Sequence, residues 1–271
     1  MRIALVQQNV SENRQANRDR GLDAVAKTAE QGAQVICFAE LAFDPFYPQE
    51  RATENTLRLA EPIPGPTTEA FAACAAELGV VLVLNLFERD GDRTYDTSPV
   101  IDADGRLLGT TRMVHITEYP CFHEQGYYAP GDHGASVYET AFGRLGVAIC
   151  YDRHYPEYLR ALALGGAQVV FVPQAGAVGE WPDGLFEAEM RVAAFQNGFF
   201  TALCNRVGRE PRLTFAGQSF VCDPAGTVVA QAGGAEEILF ADLDLDEVEK
   251  SHARRLFLRD RRPELYGDWL V

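Results

Sequence analysis

Short apolar runs alternate with stretches of helical character along the first third of the chain, and this alternation restricts the fold more than any other feature. The apolar runs cover 2–7, 34–40 and 80–88, and the helical stretches between them cover about 13–31 and 67–78. Runs that are apolar throughout are typical of strands covered on both faces. The order strand, helix, strand, helix, strand predicts an α/β fold.

The middle of the chain has a different pattern, in which turn residues separate pairs of apolar runs. Segments 97–116, 135–150 and 219–232 each read as two strands around a short turn that contains glycine. That arrangement predicts hairpins. Hairpins together with helices near 156–164 and 185–197 favour a layered α/β sandwich of two sheets over a simple doubly wound sheet.

No linker interrupts the chain, so we interpret residues 1–271 as one domain. The segment 250–271 combines charged and aromatic side chains. A tail of this composition rarely packs alone, and we expect it to pack on a partner subunit.

The charge and the cysteines exclude several classes of protein. A net charge of −15 argues against nucleic-acid binding, which depends on clustered Lys and Arg. No apolar run approaches the roughly 20 residues that span a bilayer, and the first residues show no signal-peptide pattern. The six cysteines are dispersed without a CxxC pair, as in a reduced cytoplasmic protein. We therefore expect a cytoplasmic protein without a membrane or nucleic-acid partner.

Reactive side chains are expected just beyond the carboxyl ends of strands, where loops converge. Glu40 ends VICFAE and Cys150 ends GVAIC. A carboxyl group partly removed from water has a raised pKa, which suits a general base for a thiol. The pattern alone leaves two alternatives open, since Glu40 reads equally as a loop residue and Cys150 as a small core hydrophobe.

A Cys–His pair and a metal site are the two alternatives to a cysteine with a distant base. His154 follows Cys150 closely, but Pro156 and the polar residues before it predict a turn there, which does not favour a Cys–His pair. Possible metal ligands crowd one loop, but their spacing matches no common metal motif. They are His115, Cys121, His123 and Glu124, with His133 nearby. We therefore expect no metal.

Several blocks, in order and over essentially the whole length, resemble the nitrilase (carbon–nitrogen hydrolase) superfamily. They are VICFAEL, DADGRLLGTTRMVH, GYYAPGD, GRLGVAICYDRHYPE, RVAAFQNGFFTALCNRVG, FAGQSFVCDPAGTVVA and RDRRPELY. The resemblance is greatest to the branch with N-carbamoylputrescine amidase and β-ureidopropionase. It implies a four-layer αββα sandwich that dimerises to αββα–αββα. The implied activity is hydrolysis of a small amide, carbamoyl or nitrile C–N bond without a cofactor.

The resemblance also implies roles for particular residues. Glu40 matches the general base, Cys150 the nucleophile and Glu124 a second, supporting glutamate, while the Tyr151 N–H would be one oxyanion donor. The family's catalytic lysine corresponds to Met113 in GTTRMVH, and the chain has no lysine between Lys27 and Lys250. A thioether supplies neither the positive charge nor the donor that the lysine provides.

The departure at Met113 leaves three hypotheses open. In the leading one, another donor replaces the lysine in an active hydrolase. The others are a non-catalytic homologue that binds a small molecule or a protein partner, and an engineered inactive variant. Candidate replacement donors are His115, His123 and Arg112, although strand alternation predicts that Arg112 faces away from the site. Candidate substrate-binding residues are Arg153, His154, Glu180, Trp181 and Glu187.

Overall fold

The computed structural model describes residues 1–267. Its strands are β1 (Arg2–Gln7), β2 (Val35–Phe38), β3 (Val81–Val83), β4 (Leu86–Asp90), β5 (Arg93–Ile101), β6 (Leu107–Arg112), β7 (Glu118–Tyr119), β8 (Phe122–His123), β9 (Val137–Thr140), β10 (Gly143–Val147), β11 (Val169–Gln174), β12 (Phe200–Asn205), β13 (Val207–Arg209), β14 (Thr214–Ala216), β15 (Phe220–Cys222), β16 (Val228–Gln231) and β17 (Glu237–Asp242). The α-helices are α1 (Arg14–Glu30), α2 (Glu54–Leu57), α3 (Pro66–Leu78), α4 (Pro156–Leu164), α5 (Leu185–Asn197), α6 (Asp246–Lys250) and α7 (Pro263–Tyr266). Three 3-10 helices cover Tyr47–Gln49, Glu124–Gly126 and Cys150–His154, and a π-helix covers Ala253–Phe257.

Two larger sheets contain most of the strands. The first has the order β17-β1-β2-β3-β5-β4, with β6 also paired to β5. The second has the order β16-β15-β12-β11-β10-β9. In each sheet the central three strands are parallel and antiparallel strands flank them. The apolar runs at 2–7, 34–40 and 168–174 form central strands, which accounts for their lack of polar alternation.

The two sheets pack face to face, and each carries helices on its outer face. The inner core contains side chains such as Leu5, Cys37, Val147, Phe171 and Cys204. A second core joins the first sheet to α1 and α3, and a third joins the second sheet to α4 and α5. The layer order is therefore helix, sheet, sheet, helix, which confirms the αββα prediction.

Two local predictions were wrong. The run at 80–88 is not one strand, because the chain turns between β3 and β4 at Asn85. There the Asn85 side chain accepts a hydrogen bond from the Leu41 N–H at 2.7 Å and donates to the buried Asp96 carboxyl group. The segment predicted as a turn after Ile149 is a 3-10 helix, and it ends before Pro156, which begins α4.

The beginning of the predicted tail packs on its own chain. The Arg254 guanidinium donates to the carbonyls of Ala163 and Ala167 at 3.2 Å each, and the Phe257 ring lies 5.3 Å from that of Phe195. Residues 268–271 lie outside the described part of the chain. Within residues 1–267, no helix has the length and apolar content needed to cross a membrane.

Candidate active site

Cys150 begins the 3-10 helix that follows β10, and its backbone is in an unusual conformation. Its φ is +42°, in the left-handed region that costs a residue with a Cβ about 1–2 kcal/mol. The residue is only 4% exposed, and its Sγ accepts a hydrogen bond from Gln174 Nε2 at 3.3 Å. The turn therefore holds the thiol in one position against the end of the neighbouring strand.

Arg153 holds the same turn in place through hydrogen bonds. Its Nη1 donates to the Cys150 carbonyl at 3.0 Å and to Gln174 Oε1 at 2.7 Å, and its Nε donates to Glu189 at 3.2 Å. Its guanidinium also lies 4.5 Å from the centre of the Phe186 ring. Burial and the carboxyl groups of Glu40 and Glu124 raise the pKa of the Cys150 thiol well above its usual range, and the Arg153 charge offsets only part of this effect. Arg153 therefore positions the nucleophile turn through Nη1 and Nε, while its Nη2 is buried without a hydrogen-bond partner among residues 1–267.

Glu40 follows β2 at the facing edge of the first sheet. The Arg206 guanidinium donates to its carbonyl at 2.9 Å, and the next residue, Leu41, has a φ of +45°. Its carboxyl group is completely buried, and neither oxygen has a hydrogen-bond partner among residues 1–267. Burial and the neighbouring Glu124 carboxyl group raise the pKa of Glu40 to about 8.

Glu124 begins a short 3-10 helix beside these two residues and is also completely buried. Its Oε2 accepts from the Thr117 N–H at 3.3 Å, and its Oε1 has no partner among the described residues. Burial and the Asp96 carboxyl group raise its pKa well above the usual range. One ligand atom each from Glu40, Glu124 and Cys150 lie within 4.8 Å of one another. Among the described residues, the trio shares only Glu124 with the loop residues considered as possible metal ligands.

Asp96 is a third buried carboxyl group that sequence reasoning missed. It lies on β5, and its Oδ1 accepts from Asn85 Nδ2 while its Oδ2 has no partner in the described part of the chain. Burial and the Glu40 carboxyl group raise its pKa well above the usual range. The signal in the sequence is a lone acid within a strand that is otherwise apolar or hydroxylated. Gln174 was missed as well, although it ends an apolar strand in the same way as Glu40 and Cys150.

Met113 lies just beyond β6 and is 1% exposed, in the same apolar cluster as Cys150. Its N–H donates to the Asp96 carbonyl at 2.9 Å. None of the ion pairs among residues 1–267 includes Glu40, Asp96 or Glu124. These three carboxyl groups therefore lie together without a paired cation.

The structure does not bring Arg112 to this site. Its guanidinium donates to Glu88 at 2.7 and 2.9 Å, to Asp90 at 2.7 Å and to Asp132 at 3.3 Å. Successive side chains of a strand point to opposite faces, so Arg112 lies on the face away from Met113. Arg112 is therefore not placed to replace the family lysine as a donor at this site.

The two candidate histidines are also engaged elsewhere. His115 Nδ1 lies 2.7 Å from Asp152 Oδ1, and the ring stacks on Tyr155 with centroids 3.4 Å apart. His123 Nδ1 lies 2.8 Å from Glu118 Oε1. Neither ring has a hydrogen bond to Glu40 or Glu124 in the part of the chain that the structure describes. The two histidines, considered above as possible metal ligands, therefore contact different carboxyl groups.

The predicted substrate-binding residues divide into two groups. Glu180 accepts from the Tyr119 hydroxyl at 2.6 Å and lies close enough to raise the pKa of the Cys150 thiol. Trp181 packs its ring 5.3 Å from that of His154, and His154 Nδ1 contacts Glu189 at 2.6 Å. These residues lie around the site.

Glu187, the remaining candidate substrate-binding residue, lies on the surface of α5. It forms an ion pair at 3.2 Å with Arg191, one turn along α5, and both side chains are partly exposed. This pairing is typical of a helix surface. Among residues 1–267, Glu187 forms no hydrogen bond or ion pair with Cys150, Glu40 or Glu124.

Tyr119 borders an open hollow of about 470 Å³, which its neighbours Glu118 and Cys121 also line. A cavity of about 740 Å³ lies on the other side of the nucleophile turn between α4, α5 and the tail, with Arg153 and His154 among its lining residues. Only the first of these two spaces adjoins the Tyr119–Glu180 pair near the thiol.

A buried cysteine and two carboxyl groups, brought together at one edge of an αββα sandwich, define a class of thiol-dependent hydrolases. The chain belongs to the carbon–nitrogen hydrolase family, whose sequence model matches residues 2–253. It is a carbon–nitrogen hydrolase of the amidase type, which confirms the resemblance to the nitrilase superfamily.

Individual relatives agree with this assignment. The chain is 38% identical to an N-carbamoylputrescine amidase of Solanum lycopersicum over 253 residues, which cover 88% of this chain and 84% of that protein. The structure of a carbon–nitrogen hydrolase from Helicobacter pylori G27 superposes with a TM-score of 0.92 at 30% identity, covering 100% of this chain and 98% of that one. An amidase variant from Nesterenkonia sp. AN1, with acrylamide added at its active-site cysteine, matches with a TM-score of 0.83 at 28% identity over 99% of each chain.

Proposed function

We propose that this enzyme hydrolyses a C–N bond of a small amide, carbamoyl or nitrile compound, with Cys150 as nucleophile and Glu40 as general base. The observation that carries the proposal is the approach of Cys150, Glu40 and Glu124 to within 4.8 Å of one another. The three residues lie on separate segments of the chain that only the completed fold brings together. The Nesterenkonia amidase with acrylamide on its cysteine supports the assignment of the nucleophile.

The proposed reaction has two halves. Glu40 takes the thiol proton as Cys150 attacks the substrate carbon, and the protonated Glu40 then gives this proton to the substrate nitrogen. In amides and carbamoyl compounds this nitrogen leaves as ammonia or an amine, whereas in nitriles it stays bound as a thioimidate until water adds. Water, activated by Glu40, hydrolyses the covalent intermediate. Glu124 supports the base, and the Tyr151 N–H donates to the reacting group. A carboxyl group with a pKa of about 8 is a stronger base, once ionised, than an ordinary glutamate, which suits this role.

Intact-protein mass spectrometry with a panel of amides, nitriles and carbamoyl compounds tests the proposal. We expect wild-type protein to form a covalent adduct and release product, and Cys150→Ala to do neither. Adduct formation on the Cys150→Ala protein, or no turnover and no adduct with any compound, would contradict it.

A second candidate function is binding without turnover. The raised pKa of the Cys150 thiol and the methionine at position 113 favour this alternative. Alkylation separates the two candidates, because an activated Cys150 reacts rapidly and stoichiometrically. Reaction of Cys150 no faster than that of a partly exposed thiol such as Cys74, with ligand binding intact, would favour a non-catalytic protein.

Three further expectations belong to this proposal. We propose a single domain, because both sheets share one inner core. We propose a homodimer, which is supported by exposed apolar side chains on α5 and the tail, including Leu185, Val192 and Phe257. We propose a cytoplasmic location, which is supported by the free state of all six cysteines.

A further inference from the structure

The three carboxyl groups of the site have more acceptors than donors. Both carboxyl oxygens of Glu40, Oδ2 of Asp96 and Oε1 of Glu124 are buried and lack a hydrogen-bond partner among residues 1–267. Buried acceptors without partners cost free energy, and buried charges are normally paired. A cationic ligand with several N–H donors would satisfy these acceptors and favour the ionised form of the carboxyl groups.

The nearby donors do not satisfy these acceptors. Gln174 Nε2 donates to the Cys150 sulfur. Arg153 donates from Nη1 and Nε around the turn, while its Nη2 and Arg206 Nε are buried without a hydrogen-bond partner among residues 1–267. The ion pairs of these two guanidiniums are with Glu189 and Glu210, not with Glu40, Asp96 or Glu124. The Tyr128 hydroxyl is buried, without a partner among the described residues, and close enough to the carboxyl groups for their charges to raise its pKa. Tyr128 offers one neutral donor, and Met113 offers none.

The absence of a paired cation has a direct consequence for the reaction. Attack of a thiolate on a neutral carbonyl creates an oxyanion, which here would form among carboxyl groups. Losing one donor to such an oxyanion costs roughly 10²–10³ in rate. Attack on an amidinium carbon instead gives a neutral adduct, because the electron pair moves onto a positively charged nitrogen.

We propose that the substrate carries an amidinium or guanidinium group at the scissile carbon, and that this cation donates its N–H groups to Glu40, Asp96 and Glu124. The inference rests on the proposed function and specifies its substrate class. The planar cation fits carboxyl acceptors through charge-assisted hydrogen bonds. It brings into the site the positive charge that methionine at position 113 cannot provide.

The proposed reaction balances without a co-reactant other than water. Glu40 takes the Cys150 proton, the S–C bond forms, and the C=N electron pair moves onto nitrogen. Glu40 returns the proton to one nitrogen, the C–N bond breaks, and ammonia or an amine leaves. The lone pair of the remaining nitrogen then forms the C=N bond of a cationic thioimidate bound to Cys150.

Water completes the cycle. It gives one proton to Glu40 as its oxygen bonds to the thioimidate carbon. The C–S bond then breaks, an oxygen lone pair forms the carbonyl, and the hydroxyl proton returns to sulfur. The products are an amide or urea group and ammonia or an amine, which carries away the proton held by Glu40.

Matched substrates that differ only at the scissile carbon test the proposal. The pairs are acetamide with acetamidine, and N-carbamoylputrescine with its guanidino counterpart agmatine. We expect wild-type protein to hydrolyse the cationic member with a kcat/KM at least about 100-fold higher. The measurement uses wild-type protein, so it does not depend on whether any variant folds.

Met113→Lys provides the reciprocal test. A lysine here would compete with the cationic substrate and stabilise an oxyanion, so we expect the preference to reverse toward the carbonyl member. Thr110→Lys adds the same charge on β6 at a partly exposed position and is the control for net charge. We expect it to keep the wild-type preference.

The outcomes separate this inference from the function on which it rests. Turnover of the carbonyl members without turnover of the cationic ones overturns the inference and leaves the proposed hydrolase intact. No turnover of either member and no covalent modification of Cys150 overturns both. Elemental analysis is the remaining test, because one metal ion per chain, required for activity and removed by a chelator, would identify the cation as inorganic and overturn the inference.

Discussion

The Met113 N–H donates to the Asp96 carbonyl at 2.9 Å, so the apolar residue at the expected lysine position is tied to the strand that carries an unpaired buried acid. Asp96 in turn lies close to Glu40, whose carboxyl group raises the pKa of Asp96, while Glu124 raises the pKa of Glu40. The thioether at position 113 supplies no positive charge that would lower the pKa of these carboxyl groups, and measurable expectations follow from this.

Glu40→Gln is expected to change how stability depends on pH. The pKa of Glu40 is raised from 4.5 to about 8 in the folded protein, so its contribution to stability is present below pH 4.5 and is lost as pH rises through 8. Each pKa unit corresponds to about 1.4 kcal/mol, so Glu40→Gln should be more stable than wild type by a few kcal/mol at pH 8.5. This difference in stability should be smaller at pH 5. Urea unfolding at both pH values measures this, with exposed Glu77→Gln as the control. Equal stability of wild type and Glu40→Gln at pH 8.5 would contradict the prediction.

The pH profile of turnover should depend on the charge of the substrate. A general base must be unprotonated, so kcat/KM for a neutral amide should rise with pH and level off above about 8, the pKa of Glu40. An opposite charge within a few ångströms lowers a carboxyl pKa by about 1–3, so a cationic substrate should shift the kcat profile to lower pH. Stopped-assay kinetics from pH 6 to 9.5 check both profiles. A kcat/KM that is flat over this range would argue against Glu40 as the base.

Gln174→Leu should reduce the reactivity of Cys150. The substitution removes the donor to Sγ and the acceptor for Arg153 Nη1, which are at 3.3 and 2.7 Å. Loss of a partner for a buried polar group costs about 1–3 kcal/mol, so stability should fall by that amount and alkylation of Cys150 should slow about tenfold or more. Iodoacetamide labelling followed by mass spectrometry gives the rate, with exposed Gln196→Leu on α5 as the control. An unchanged labelling rate in a folded Gln174→Leu protein would show that this contact does not activate the thiol.

The left-handed conformation of Cys150 predicts an unusual order of stability. Glycine adopts a φ of +42° without the steric cost that a Cβ causes, so Cys150→Gly should be more stable than Cys150→Ala by about 1 kcal/mol. The same comparison at buried Ala148, where φ is not in that region, should have the opposite sign. Thermal unfolding of the three variants and wild type measures both differences. A Cys150→Ala protein as stable as Cys150→Gly would mean that the turn relaxes when the sulfur is removed.

Much of the fold could be predicted because it follows from patterns among residues close together in the sequence. Central parallel strands are apolar throughout, and the helix predicted near 156–164 begins at Pro156, a residue favoured in the first helical turn. The break in the run at 80–88 did not follow from propensity, because Asn85 acts through a contact with Leu41 on another segment. Local sequence does not contain that contact.

The site shows the same distinction. Glu40 and Cys150 were found because each ends an apolar run, and the same signal applies to Gln174. Asp96 lies within a strand, and only the pairing of β5 with β3, β4 and β6 determines that it enters the buried edge beside Glu40. The helix that carries Glu187 was predicted, but its ion pair with Arg191 on the surface of α5 depends on how the helix packs.

The assembly of the site from two sheets has a consequence for folding. Glu40 ends a strand of one sheet and Cys150 follows a strand of the other, and their meeting requires the inner core to close. Contacts between distant chain segments form late and slowly, since the loops between them must close first. A folding intermediate with one completed sheet would therefore leave the thiol open to solvent. The time at which Cys150 stops reacting with a small alkylating reagent during refolding would record the moment when the two halves of the molecule join.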